Sequence, residues 1–263
     1  MNEPDCNQYP STCPLAPEVQ EKTRIVRDKL EEEKAPVGKQ ELPQPITTDD
    51  FLNMTEERMV QINRELRLAF ETIAEFPKTV TFYGSARLEK ESYYYEKARR
   101  LARVCAKHGF AVVSGGGPGI MQAANQGSYE ESGVGIGFNI VLPFEQKANP
   151  YVTHGVDFEY FFTRKFSMNF TGEAYLCFPG GFGTLDEFFE VLTLVQTKKI
   201  QQIPIILVGS DFWQPLMDYI IGTLRDEFKT ISPEDLDLFQ IMDDESEIMK
   251  VLDNAPIRDG YYH

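Results

Sequence analysis

Positive charge is in short supply in this sequence. Its 26 lysines and arginines stand against 41 acidic residues, a formal net charge of −15. A chain so acidic does not coat nucleic acid, so any nucleotide it takes is held in a local pocket. Long hydrophobic runs are missing as well. No stretch approaches the roughly 20 apolar residues of a membrane span, and the polar, acidic start does not read as a signal peptide. Cys6, Cys13, Cys105 and Cys177 are scattered without a CxxC pair, and nothing near Cys6 and Cys13 completes a zinc set. Cys105 and Cys177 fall in core-facing patterns, so a reducing, cytoplasmic setting is expected. Three histidines, His108, His154 and His263, and no GxSxG elbow argue against a Ser–His–Asp hydrolase. No Gly-Lys-Ser/Thr occurs, which excludes a Walker A loop. No acidic or histidine cluster demands a metal, and no cofactor is expected.

What the chain does have is an apolar content of 42% over 263 residues. That suffices for one α/β domain of roughly 180 residues with an appendage. The division expected is 1–76, a flexible tail and helical extension, followed by a domain over 77–263. Pro10, Pro14 and Pro17 mark the tail. A sparse stripe of Val19, Ile25, Val26 and Leu30 suggests a charged helix over 17–34, and a linker covers 35–45. A second helix opens at Thr47-Thr48-Asp49-Asp50, carries Met59, Ile62, Leu66, Phe70 and Ile73 at helical spacing, and ends at Pro77. Both helices are expected to pack on the domain or on a partner subunit. From Lys78 strands and helices alternate. Strands are expected at 79–83, 110–113, 134–142, within 151–162, at 174–178 and 204–208, with a last strand–helix pair over 238–252. Helices are expected at 94–108, 120–130, through Arg164 and Met168, at 184–197 and at 212–228. The fold class expected is α/β, a doubly wound (Rossmann-like) parallel sheet with an N-terminal helical extension.

One stretch organises the chemistry: Pro179-Gly180-Gly181-Phe182-Gly183-Thr184-Leu185-Asp186-Glu187. It joins the apolar run 174–178 to a helix, which puts free backbone N–H groups and a positive helix end at the carboxyl end of a strand. Gly180, Gly181 and Gly183 allow a sharp turn and close approach of a ligand. Thr184 is placed to cap the helix or bond an anion oxygen, and Glu187 to lie in its first turn. The plain alternative is an ordinary strand-to-helix turn. A second turn, Ser114-Gly115-Gly116-Gly117-Pro118-Gly119, lacks the last glycine of GxGxxG because Ile120 stands there, and it follows the second strand rather than the first. It supplies another anion cradle. In a parallel sheet both turns emerge on one edge and can share a crevice suited to a phosphate on a sugar.

The PGGxGTxxE pattern resembles the signature of the LOG family, cytokinin riboside 5′-monophosphate phosphoribohydrolases often catalogued as lysine decarboxylase-like. The likeness covers about residues 78–225. It includes Gly115-Gly116-Gly117-Pro118-Gly119-Ile120-Met121 and Asn125-Gln126-Gly127, and Arg164, Lys165 and Met168 ahead of the motif. Leu142-Pro143-Phe144-Glu145-Gln146 and Asn149-Pro150-Tyr151 look like a subgroup. Gln122, Gln126 and Phe170 depart from residues common in the family. The resemblance implies Arg164 and Glu187 as a catalytic pair. It implies substrate binding by Gly84, Ser85 and Arg87, by Gly115, Gly116, Gly117, Gly119 and Met121, by Lys165 and Met168, and by Pro179, Gly180, Gly181, Gly183, Thr184 and Glu190. The implied activity is hydrolysis of the N-glycosidic bond of a purine nucleoside 5′-monophosphate, AMP or a cytokinin riboside 5′-monophosphate, to free base and ribose 5-phosphate. The implied partner is a second copy, in a homodimer or higher homo-oligomer meeting near helix 184–197, with no nucleic acid and no membrane. Two alternatives stand beside this: a non-catalytic nucleotide sensor or carrier on the same fold, and a decarboxylase with pyridoxal phosphate on Lys165.

Overall fold

The computed structural model of the protein describes residues 47–142 and 148–256. The tail, the helix over 17–34, the linker and the block at 143–146 lie outside the described residues. Contacts divide the chain into Met1–Leu52 and Asn53–His263. Of the first unit only 47–52 is described. There the Thr47 hydroxyl donates to Asp50 Oδ2 at 2.7 Å and the Asp50 N–H donates back to Thr47 Oγ1 at 3.1 Å, a local lock that starts helix α1 (Thr48–Ala74).

In the second unit seven parallel strands form one sheet: β1 (Thr79–Tyr83), β2 (Ala111–Ser114), β3 (Gly135–Ile140), β4 (His154–Phe158), β5 (Tyr175–Cys177), β6 (Ile205–Leu207) and β7 (Gln240–Ile241). Their spatial order is β4-β3-β2-β1-β5-β6-β7. The crossovers are α2 (Tyr93–Lys107), α3 (Ile120–Glu130), α4 (Phe161–Asn169), α5 (Phe182–Gln196), α6 (Ser210–Tyr219) and a 3-10 turn at Pro233–Leu238, and α7 (Glu245–Asp253) ends the order. This is a doubly wound, Rossmann-like α/β fold.

Period-two alternation in the strands feeds two cores. Val80, Phe82 and Leu176 pack with Ala98, Leu101, Ile120 and Ile248 on one face. Tyr83, Tyr175 and Cys177 pack with Met168, Phe188, Val191 and Trp213 on the other. Buried parallel strands read as unbroken apolar runs, which is why they stand out in the sequence. No helix among the described residues is long and apolar enough to cross a membrane.

Two details differ from expectation. The buried residues of α1 are Glu65, Ala69 and Ile73, while Met59 and Phe70, of the apolar stripe, are exposed. Glu65 tolerates burial because the Glu159 N–H donates to it at 2.9 Å and the Gln61 amide at 3.0 Å, with the Thr163 hydroxyl a third donor. The helix expected over 212–228 starts at Ser210 and changes to a wide π-type turn at Ile220–Glu227.

Candidate active site

β1 is flanked by β2 and β5, and the chain reverses its direction of travel across the sheet at β1/β5. This topological switch point opens a crevice at the carboxyl ends of the strands. Three turns meet there: Gly84-Ser85 after β1, Gly115 after β2, and Pro179-Gly180 after β5. The backbone ties them together. Ser85 N–H donates to the Pro179 carbonyl at 3.0 Å and Ile120 N–H to the Ser85 carbonyl at 3.0 Å. Gly119 holds φ at +67°, and a Cβ there would overlap the Ser85 carbonyl. Gly183, by contrast, has open space where a Cβ would stand. Gly119→Ala is therefore expected to lose roughly 2–4 kcal/mol of stability through strain and a backbone clash. Gly183→Ala is expected to gain about 0.5–1 kcal/mol as a helical glycine replaced. Urea unfolding of both variants checks the contrast.

The crevice is a cleft of about 740 Å³. Of the residues expected to bind substrate, Gly84, Ser85, Arg87, Gly115, Met121, Gly180, Gly181, Gly183 and Thr184 line it. The expected catalytic pair, Arg164 and Glu187, lines it too. The structure does not bring the rest to the wall. Pro179 spends its carbonyl on Ser85, and Gly119 packs behind that turn. Gly116 and Gly117 give their carbonyls to Asn149 Nδ2, at 3.0 and 3.1 Å. Met168 is a core residue, 1% exposed. The Lys165 ammonium sits on Asp186 and Glu190, so neither Lys165 nor Glu190 reaches the cleft wall.

Helix α5 begins two residues earlier than expected, at Phe182 with Gly181 as its N-cap. Thr184 does not cap it: no side-chain cap bond is made, and Thr184 lies inside the first turn, packed against Gly180. Glu187 consequently stands in the second turn of α5 rather than the first. The first turn of α5 has no side-chain cap and lines the cleft, and a helix N-terminus with free N–H groups favours an anion.

Arg164 is 8% exposed. Its Nε donates to the Phe138 carbonyl at 2.6 Å, and its Nη1 lies 3.8 Å from Glu187 Oε1. The guanidinium passes directly over Gly115, where any Cβ would overlap it. Burial pushes the Glu187 carboxyl up to about 7. Arg164 pulls against that rise and Asp186 adds to it. The site thus holds a carboxyl poised between its two forms near neutrality, beside a fixed cation. Tyr83 closes the floor. Its hydroxyl donates to Asn169 Oδ1 at 3.0 Å, its ring stacks on Tyr175, and burial first, with the charge of Glu187 among the lesser causes, holds its pKa well above the usual range.

Tyr83 and Phe138 have no expected site role from the sequence, and Asn149 enters only within a block that resembles a subgroup of the family. Tyr83 carried one usable signal, as the last strand residue before Gly84. Phe138 acts through its backbone carbonyl, which leaves no side-chain pattern. Asn149 acts at long range. It joins Asn125 at 2.9 Å, which accepts from the Ser114 hydroxyl at 2.7 Å, and this network shapes the second glycine turn.

The family described as "Possible lysine decarboxylase" matches residues 121–252, half of the chain. The cytokinin riboside 5′-monophosphate phosphoribohydrolase of Rhodococcoides fascians is 29% identical over 150 residues, 55% of this chain and 74% of that protein. Cytokinin riboside 5′-monophosphate phosphoribohydrolase LOG of Oryza sativa subsp. japonica is 29% identical over 166 residues, 60% of this chain and 66% of that protein, just under two thirds of its length. Among solved structures, the molybdenum cofactor binding protein of the phototrophic bacterium Rippkaea orientalis aligns with TM-score 0.51 at 18% identity. It covers 68% of this chain and 96% of its own, a likeness of fold.

Proposed function

The chain belongs to the LOG family, that of the possible lysine decarboxylases, and on that premise we propose that it hydrolyses the N-glycosidic bond of a purine nucleoside 5′-monophosphate. The substrate is AMP or an N6-modified AMP, and the products are free base and ribose 5-phosphate. The observation that carries this is Glu187, a carboxyl raised to about 7, facing Arg164 across a cleft edged by glycine turns.

In this reading the phosphate rests on the N-terminus of α5, with Ser85 and Arg87 in the adjoining turn after β1. The sugar then lies over the second turn of α5, with its anomeric carbon toward Glu187. Ionised Glu187 stabilises the oxocarbenium-like sugar as the C1′–N bond breaks and its electron pair leaves on the base. Water adds to C1′, passing its proton to Glu187, and a proton is returned to the departing base, so that one water is consumed in all. Arg164 holds the sugar or the base and keeps Glu187 from being fully protonated at neutral pH.

A sensor or carrier needs only the glycine turns. The pairing of Arg164 with Glu187 favours the enzyme. A decarboxylase would need a lysine in the cleft for pyridoxal phosphate. Among the described residues no lysine lines the cleft, and Lys165 is held by two carboxylates, so the described residues do not fit that cofactor.

A homodimer fits the same reading. Phe161, Phe162 and Phe166 on α4 and Phe189 on α5 leave aromatic surface in water around the pair, as an unpartnered interface would.

Incubation with a panel of nucleosides, nucleoside 5′-monophosphates and N6-substituted AMPs, followed by chromatography, tests the activity. Base and ribose 5-phosphate are expected in equal amounts from a purine monophosphate, with adenosine untouched because it lacks the anchoring phosphate. Tight nucleotide binding with no base released from any of them would favour the sensor.

A further inference from the structure

Neighbouring residues of α4 grip three carboxylates of α5. Arg164 faces Glu187, and Lys165 Nζ lies 2.8 Å from Asp186 Oδ2 and 3.0 Å from Glu190 Oε2. Asp186 directly precedes Glu187 in the chain, and Glu190 lies almost one turn further along the same helix. The Lys165 side chain is 21% exposed and takes no part in the cleft wall. Exposed ion pairs contribute little to stability as a rule. Here the lysine is mostly covered while Asp186 is 59% and Glu190 35% exposed; what sets it apart is that it bridges two acids at once and spans the two helices that carry the catalytic pair.

We propose that Lys165 is a positioning residue for Glu187, bridging Asp186 and Glu190 so as to set α5 against α4 and to screen Glu187 from the two carboxylates beside it. The inference rests on the hydrolase reading above for its consequence in turnover, though not for its consequence in titration. The groups facing Glu187 are Arg164 and Lys165 from α4, Tyr83 from β1, Cys177 from β5, and Asp186 and Glu190 on its own helix. Of these only the two cations favour the ionised form. Without Lys165 only Arg164 offsets the charges of Asp186 and Glu190 on Glu187, and its ionisation moves to higher pH.

The test pairs two measurements on the full chain from pH 5 to 10. One is kcat/KM for base release from AMP. The other is the 13C carboxyl resonance of Glu187, assigned by its loss in Glu187→Gln. In Lys165→Met both the acid limb and the resonance midpoint are expected to rise together by about one pH unit. Lys165→Arg keeps the bridge and should restore both. Asp186→Asn, which removes one of the screened charges while Lys165 stays, should lower the midpoint. A folded Lys165→Met protein with impaired turnover and an unmoved midpoint would overturn the proposal and leave Lys165 a structural or substrate contact. If Lys165→Met does not fold, an unmoved midpoint in Asp186→Asn overturns it equally. Absence of base release from the wild type would refute the hydrolase reading alone, and the resonance titration would still decide the role of Lys165.

Discussion

Glu187→Gln is expected to lower kcat for base release from AMP by about three to four orders of magnitude. The amide keeps the size and most of the hydrogen-bonding capacity of the carboxyl, but it neither carries charge to an oxocarbenium-like sugar nor takes a proton from water. Together those roles account for losses of this size. The pH profile supplies a second signature. Burial holds Glu187 protonated below about 7, and the reaction needs it ionised. Wild-type kcat/KM should therefore fall as pH drops through that value, while the residual rate of the Gln variant shows no such limb. Binding of ribose 5-phosphate should change by no more than a few-fold, since the α5 N-terminus that receives the phosphate is untouched. Steady-state kinetics from pH 5 to 9, with a binding titration of ribose 5-phosphate, checks all three.

Arg164→Ala is expected to cost about two to three orders of magnitude in kcat/KM, with a loss of stability as well. The variant removes the stronger of the two cations that oppose protonation of Glu187, so less of that carboxylate is available at neutral pH. It also leaves the buried Phe138 carbonyl without the Arg164 donor, at roughly 1–3 kcal/mol. Arg164→Lys should recover little of either. A compact ammonium cannot occupy both ends of the planar guanidinium, one on Phe138 and one toward Glu187. Kinetics and thermal unfolding of the two variants, compared at one pH, measure both effects. A lysine variant with near wild-type activity would show that charge alone suffices.

The contrast between these variants and the sequence shows where legibility ends. The strand at 79–83 and the helix at 120–130 were readable to the residue, because buried parallel strands are short apolar runs and glycine turns punctuate them. The edge of the sheet on which the turns gather followed from the parallel topology, so Glu187 and Gly115 could be placed in one crevice before any coordinates. The buried face of α1 was readable only at Ile73, since Glu65 is accommodated by donors from residues 94 and 98 positions away. The start of α5 was misjudged because a glycine N-cap leaves no side-chain signature. Lys165 was expected at the substrate on the strength of resemblance alone. Only the packing of α4 on α5 shows the lysine turned toward Asp186 and Glu190.

The most direct measurement is a crystal structure of the protein with carbocyclic AMP, which cannot form the oxocarbenium and so persists uncut. The account predicts its phosphate on the backbone amides at Gly181–Thr184 and the Glu187 carboxylate about 3–3.5 Å from the carbon equivalent to C1′, on the face away from the base. A phosphate seated elsewhere, or a Glu187 carboxylate turned from that carbon with the base in its place, would contradict it.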